Sequence, residues 1–118
     1  MQEYMFVFRR DLARESEQLA PDKMQALWKA WQDWTGSVAA QNKLGGVGKR
    51  LGTEGKVITP DALVTNGPYV ELKESVIGYM FVKAASFDDA VALTQGCPNL
   101  AMGGSIEIRP VVAENYSR

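Results

Sequence analysis

The chain has 118 residues, a length that suits one domain and leaves no room for a second hydrophobic core. Its 46% hydrophobic and 23% charged residues are typical of soluble globular proteins and exclude disordered, collagen-like and membrane compositions. Thirteen Lys and Arg against fourteen Asp and Glu give a net charge of -1, which offers no broad attraction to nucleic acid or anionic lipid. We therefore expect a single domain over residues 1–118 that binds neither nucleic acid nor membranes.

Histidine is absent and Cys97 is the only cysteine, which limits the available chemistry. The chain cannot form a Ser-His-Asp or Cys-His catalytic arrangement, a disulfide within itself, or a zinc site with nitrogen or sulfur ligands. No clustered carboxylates suggest another metal site, so we expect neither metal nor cofactor. We interpret Cys97 as a small buried hydrophobic residue. In the start, MQEYMFVFRR, the apolar run before Arg9 is too short for the core of a secretion signal, so we expect a cytoplasmic protein.

The first predicted elements are a strand and a long helix. Residues from Glu3 to Arg9 are mostly apolar or β-favouring, which predicts a buried strand. An amphipathic pattern follows from Met24 to Ala40, with Pro21 as a favourable first-turn residue. We expect its apolar face to pack on a sheet, with an aromatic cage as the alternative interpretation of its tryptophans. This face holds Met24, Leu27, Trp28, Trp31, Trp34, Thr35 and Val38. Trp34, at its edge, is expected to be the tryptophan that reaches a pocket or a partner.

Short strands and turns are predicted for the middle of the chain. A glycine-punctuated strand covers Gly45 to Gly52, where the glycines match no phosphate-loop spacing. A second short strand covers Lys56 to Thr59, and a loop follows from Pro60. Asn66-Gly67-Pro68 marks a further turn, since asparagine and glycine favour turn conformations and proline stiffens the exit.

The last third of the chain predicts a strand, a helix and a strand. Val76 to Val82 is continuously apolar, which is typical of a strand that is covered on both faces. Ser86 has an acidic residue three positions later and caps a helix that extends to Gln95. Ser105 to Val112 alternates between isoleucines and charged residues, which predicts one core face and one charged face.

This order of elements predicts an α+β ferredoxin-like plait, βαββαβ, with an antiparallel sheet and two helices on one face. The other face of the sheet is left open. Because the first strand and Val76 to Val82 place apolar side chains on that open face, we expect two copies of the chain to pack face to face as a homodimer.

Two separated motifs resemble the YCII-related family. The stretch TNGPYVELKE (residues 65–74), followed by Gly78-Tyr79, is similar to the DGPF-type signature of that family, and residues 106–111 look like its last strand. Asn66 stands where the signature has aspartate, and Tyr69 stands where it has phenylalanine. The resemblance implies a dimeric α/β-barrel with a pocket. It implies catalysis less firmly, because the His and Asp pair attributed to some members cannot form without histidine.

The motif supplies the candidate site residues. We interpret the protein as a dimeric small-molecule-binding protein with its cavity between sheet and helices, and as a candidate cofactor-independent enzyme. The candidate ligand-binding residues are Asn66, Tyr69, Glu71, Lys73 and Arg109, and the candidate proton-transfer residues are Glu71 and Glu74. The alternative is a non-catalytic interaction or regulatory domain in which the motif is a turn with a supporting ion pair.

Overall fold

A computed structural model describes residues 1–11, 19–67 and 74–112. The strands are β1 (Gln2–Arg10), β2 (Leu44–Gly46), β3 (Gly55–Ile58), β4 (Val64–Gly67), β5 (Ser75–Ala84) and β6 (Ser105–Pro110). The helices are α1 (Pro21–Ala40), α2 (Phe87–Leu93) and α3 (Pro98–Ala101). One antiparallel sheet has the strand order β2-β5-β1-β6, and β3 and β4 form a separate hairpin. This mixed α+β architecture is compatible with the predicted ferredoxin-like fold.

Both main helices lie on the same face of the four-stranded sheet. Side chains alternate along the central strand β1, and those of Tyr4, Phe6 and Phe8 are buried on the helix-facing side. Phe6 stacks on Trp34 of α1 with ring centroids 6.4 Å apart, and Tyr4 lies 5.1 Å from Phe87 of α2. The predicted placement of two helices on one face is therefore confirmed.

Helix α1 packs closely on the sheet through only part of its apolar face. It begins at Pro21, whose missing N–H causes no loss at a helix start. Trp34 and Val38 are its buried residues, whereas Met24 and Leu27 are half-buried and Trp28 is 60% exposed. The expectation of a uniformly buried face is therefore correct for the C-terminal half of the helix and wrong for the N-terminal half.

The segment from Lys43 to Leu51 follows β5 without forming one regular strand. Regular pairing covers only Leu44–Gly46, and the register shifts within it. Beyond β2, the Tyr79 N–H donates to the Lys49 carbonyl at 3.2 Å, and the Leu51 N–H donates to the Ile77 carbonyl at 2.8 Å. The glycine-punctuated strand predicted here is thus shorter than expected, although the chain beyond it still runs alongside β5.

Two further local features were not predicted. Asn66 and Gly67 lie inside β4, paired with β3, where a turn was expected, and Pro68 lies outside the described residues. The hairpin reverses at residues 59–63, within the loop expected from Pro60, and there the Thr59 N–H donates to the Leu63 carbonyl. Pairing with β3 satisfies the backbone of residues 64–67 and so outweighs the turn preference of Asn66. A short helix, α3, follows directly after Cys97, because Pro98 suits the first position of a new helix.

The cap of α2 and the alternation of β6 agree with the predictions. The Ser86 Oγ accepts a hydrogen bond from the Asp89 backbone N–H at 3.1 Å. In β6, Ile106 and Ile108 pack against the core, and Glu107 lies opposite Val7 of β1 on the helix-free side. The charged face of β6 is therefore the open face of the sheet.

The β3–β4 hairpin pairs with no other strand among the described residues. Ile58, Leu63 and Val64 are each more than half exposed on it. The described Cα atoms have a radius of gyration of 16.0 Å, above the value of about 13.5 Å expected for a compact chain of this length. An isolated two-stranded hairpin is only marginally stable in water, so this hairpin presents apolar surface without local support.

Candidate ligand-binding site

A cleft of about 830 Å³ lies between the N-terminal half of α1 and the helix-facing side of the sheet. Its apolar lining includes Phe8, Leu27, Trp28, Trp31, Ile77 and Met80. Pockets that hold small organic molecules have volumes of roughly 300–1,000 Å³ and mainly apolar walls with a few polar groups. The cleft therefore has the size and the surface of a small-molecule site, and it lies between sheet and helices, where the sequence predicted a cavity.

Glycines in β5 and in the segment beside it shape the cleft. Gly78 contributes no side chain to the part of β5 that lines it. The backbone of Gly48 lies directly against β5, so that a Cβ at this position would be 1.5 Å from the Tyr79 carbonyl oxygen. Only glycine fits there. This close approach forms the cleft wall of residues 47–50, which carries Lys49 and Arg50.

The tryptophans of α1 divide their roles between core and cleft. Trp31 makes edge-to-face contacts with Phe8 at 5.1 Å and with Trp34 at 5.9 Å, which fix its ring at the cleft. Trp28, three residues earlier on the same face, has no ring contact with another described aromatic side chain. The indole of Trp28 thus has an accessible surface within the cleft.

Trp34 belongs to the core rather than to the main cleft. It is 6% exposed, and its Nε1–H donates to the Leu93 carbonyl of α2 at 3.0 Å. It borders only a smaller cavity of about 300 Å³ between α1 and α2. The expectation that Trp34 would be the tryptophan to reach a pocket therefore misses Trp28 and Trp31, because the N-terminal half of α1, not its edge, is the part that borders the cleft among the described residues.

The charged residues that line the cleft are all cations. They are Arg10 at the end of β1, and Lys49 and Arg50 in the wall of residues 47–50. No Asp or Glu from the described ranges lines it. A concave surface with low-dielectric walls and charges of one sign focuses its field and attracts ligands of the opposite sign. The cleft thus combines an aromatic side with a positively charged wall.

The candidate residues from the sequence motif lie elsewhere or outside the described residues. In β4, the Asn66 Oδ1 accepts a hydrogen bond from the Lys56 Nζ at 3.1 Å. Glu74 precedes β5 with an exposed side chain, and Arg109 is exposed on the helix-free face. Tyr69, Glu71 and Lys73 lie outside the described residues. Asn66, Glu74 and Arg109 do not line the cleft, so the motif and the cleft are separate candidate sites.

An arginine that the sequence analysis missed links parts of the charged face. The Arg9 guanidinium donates to the Glu107 Oε1 at 2.9 Å and to the Glu74 carbonyl at 2.8 Å. The Arg109 Nη1 lies 3.5 Å from the Glu107 Oε2. The hydrogen bond from Arg9, with the positive charges of Arg9 and Arg109, lowers the pKa of the Glu107 carboxyl. Arg9 could have been found from the alternation of β1, which places it on the open face.

Cys97 has the properties of a core residue. It is 2% exposed, at the start of α3, and burial raises the pKa of its thiol to about 11. The thiolate is the nucleophilic form of cysteine, and at neutral pH this thiol stays protonated. The interpretation of Cys97 as a small buried hydrophobic residue is therefore confirmed.

Residues 1–11, 19–67 and 74–112 form neither a cluster of metal ligands nor a membrane-spanning helix. No three His, Cys, Asp or Glu side chains in these ranges lie together as a metal ion would require. No helix formed by the same residues has both the length and the apolar character needed to cross a membrane.

Comparison with known proteins identifies a family. A search of curated proteins found no match. The sequence model of the YCII-related domain, in contrast, matches residues 5–115, a range that extends from β1 to beyond β6. The DGPF-like motif and the last strand, on which the resemblance was based, both lie within this range. With nearly its whole length matched, the chain belongs to the YCII-related domain family.

Proposed function

We propose that the protein is a small-molecule-binding protein whose ligand occupies the cleft between α1 and the sheet. The exposed indole of Trp28 beside the cleft carries this proposal. Trp28 is 60% exposed and lies next to half-buried Met24 and Leu27. Together they form an apolar surface, and a ligand that covers this surface lowers the free energy of the system by removing it from water. Aromatic walls with a few charged groups are typical of ligand pockets.

We also propose that the protein acts as a homodimer through the helix-free face of the sheet. The centre of this face is formed by half-buried apolar side chains, namely Met5, Val7, Val76, Tyr79 and Phe81. Arg9 and Glu107 lie on the same face at its border. An apolar centre with charged surroundings is the usual composition of a protein interface. Such pairing of sheets is the arrangement that the resemblance to the dimeric α/β-barrels implies.

The motif residues are a second proposed site, and the function proposed for this site is catalysis. Glu71 and Glu74 are the proposed proton-transfer residues of a cofactor-independent enzyme, and Asn66, Tyr69, Lys73 and Arg109 would bind its polar substrate. The hydrogen bond between Lys56 and Asn66 favours the alternative, a non-catalytic interaction domain, because it uses the Asn66 oxygen to hold the hairpin together. The exposed apolar side chains of that hairpin support the same alternative.

Ligand binding to the cleft is tested with a neutral planar aromatic probe, 2-naphthamide, by isothermal titration calorimetry. We expect the unaltered protein to bind it and Trp28→Ala to bind it about fivefold more weakly, because an aromatic pair contributes about 1 kcal/mol. Phe87→Ala is the matched control, since Phe87 is a half-exposed aromatic residue of α2 that does not line the cleft.

Two results would overturn the cleft as the binding site. One is no heat of binding with the unaltered protein at any accessible probe concentration. The other is the same loss of affinity in Trp28→Ala and in Phe87→Ala, since that outcome would locate the probe outside the cleft or show a general effect on folding.

A further inference from the structure

We infer that the cleft takes an aromatic carboxylate, with its ring against Trp28 and Trp31 and its carboxylate toward Lys49. This inference rests on the proposed small-molecule site and adds the chemical class of the ligand. It is carried by the position of two different surfaces on opposite sides of one cleft. The indoles belong to α1, and Lys49 and Arg50 belong to the wall of residues 47–50, which lies along β5.

The charge of the cleft differs from the charge of the protein as a whole. The chain has a net charge of -1, yet each charged residue that lines the cleft within the described part of the chain is positive. Arg10, Lys49 and Arg50 come from two separate segments that the fold brings together. A neutral apolar ligand would gain nothing from a cation at the cleft, whereas an anion is attracted by the exposed ammonium group of Lys49.

The mixed surface favours a flat organic anion over an inorganic one. Phosphate or sulfate would use the cations and leave the apolar lining in water. A planar aromatic ring can lie against the open indole of Trp28, and the ring of Trp31 is already fixed by Phe8 and Trp34. A carboxylate attached to that ring can accept charge-assisted hydrogen bonds from Lys49, which are about twice as strong as neutral ones. One molecule then covers both surfaces.

Lys49 is the residue that tests the charge requirement. Its backbone carbonyl holds the wall to β5 through the Tyr79 N–H, so a change of side chain leaves that hydrogen bond in place. Its side chain is exposed. Lys49→Met therefore removes the charge and keeps the length of the side chain and the wall. Lys83→Met is the matched control. Lys83 is an exposed lysine of β5 that pairs with Glu3 of β1, and its side chain lies on the helix-free face of the sheet, away from the cleft.

The experiment compares 2-naphthoate with its neutral isostere 2-naphthamide by isothermal titration calorimetry at low ionic strength. We expect the unaltered protein to bind naphthoate about tenfold more tightly than naphthamide. In Lys49→Met the affinity for naphthoate should fall to near that for naphthamide, and the affinity for naphthamide should change less than about twofold. Lys83→Met should retain the preference for the anion. Added salt should weaken naphthoate binding alone.

The outcomes separate this inference from the proposed function. Equal affinities for naphthoate and naphthamide would overturn the carboxylate preference and leave the cleft as a binding site. Equal losses of naphthoate affinity in Lys49→Met and Lys83→Met would overturn the role of Lys49. Absence of binding by both compounds would overturn the proposed small-molecule site together with the inference.

Discussion

At the scale of single residues, two glycines of the chain differ in how much space surrounds them. Gly48 lies in the cleft wall, where a Cβ would be 1.5 Å from the Tyr79 carbonyl oxygen. Gly36 lies in α1, where a Cβ would meet nothing within 4 Å. Composition alone treats the two alike. Only the close approach of two backbone segments makes the first of them a requirement of the fold.

Substitution by alanine should therefore change stability in opposite directions at these two positions. We expect Gly48→Ala to lower the free energy of unfolding by about 1–3 kcal/mol, because the wall must move away from β5 to make room. The same movement should weaken probe binding to the cleft. Gly36→Ala is the control and should raise stability by about 0.5–1 kcal/mol through its higher helix propensity. Urea unfolding monitored by circular dichroism measures both, and an unchanged midpoint in Gly48→Ala would contradict the close packing.

At the scale of elements, the two long strands and the long helix were predictable, and the short strands and the connections were less so. The runs that became β1 and β5 are long and apolar, and the pattern of α1 is periodic over four turns, so local sequence identifies them. Asn66 entered a strand because β3 lies beside it, which no local pattern reveals. The cleft was anticipated as a cavity between sheet and helices. The residues that line the cleft were not anticipated, because they depend on how far the first turns of α1 lie from the sheet.

The connection between α3 and β6 depends on one buried polar residue. Asn99 has no exposed surface, and its Nδ2 donates to the Ser105 carbonyl at 2.8 Å and to the Arg9 carbonyl at 3.3 Å. Its backbone carbonyl accepts from the Gly104 N–H at 2.9 Å. The side chain thus binds both strands at Arg9 and Ser105, the pair at which β1 and β6 meet beside α3.

We expect Asn99→Ala to lower the free energy of unfolding by about 1–3 kcal/mol, since it deletes a fully buried side chain and leaves two part-buried carbonyl groups without this donor. Leu100→Ala in the same short helix is the control, because Leu100 is 45% exposed and should contribute little. Chemical denaturation of both variants gives the comparison. Equal stabilities of the two variants would show that the hydrogen bonds of Asn99 do not support this junction.

At the scale of the whole molecule, the sheet has one face covered by helices and one face that no helix of the described residues covers. Alternation along β5 assigns neighbouring residues to different faces, with Met80 in the core and Phe81 on the helix-free side. The sequence showed that Val76 to Val82 is apolar on both sides, and the fold now separates the residues that stabilise the protomer from those available to a partner. The proposed dimer can therefore be tested without unfolding the chain.

A charge on each face of β5 should have a different effect. Phe81→Glu should yield a folded monomer, because a charged residue cannot be buried between two sheets without a partner. Met80→Glu should unfold the protomer, because the same charge would enter the core. Val91→Glu, on the exposed side of α2, should change neither the oligomeric state nor the stability of the protomer. Sedimentation equilibrium and thermal melting distinguish these results, and a dimeric Phe81→Glu variant would exclude the helix-free face as the interface.

Helix α1 is continuous from Pro21 to Ala40, yet its two halves have different surroundings. The C-terminal half is anchored by Trp34 and Val38, and the N-terminal half borders the empty space of the cleft. Local opening of a helix depends on the apolar contacts that opening breaks, so the two halves should open with different free energies. In native-state hydrogen exchange, amides near Leu27 should exchange faster than those near Val38. A ligand in the cleft should slow the faster half and leave the slower half unchanged, so that exchange along this one helix reports where the ligand binds.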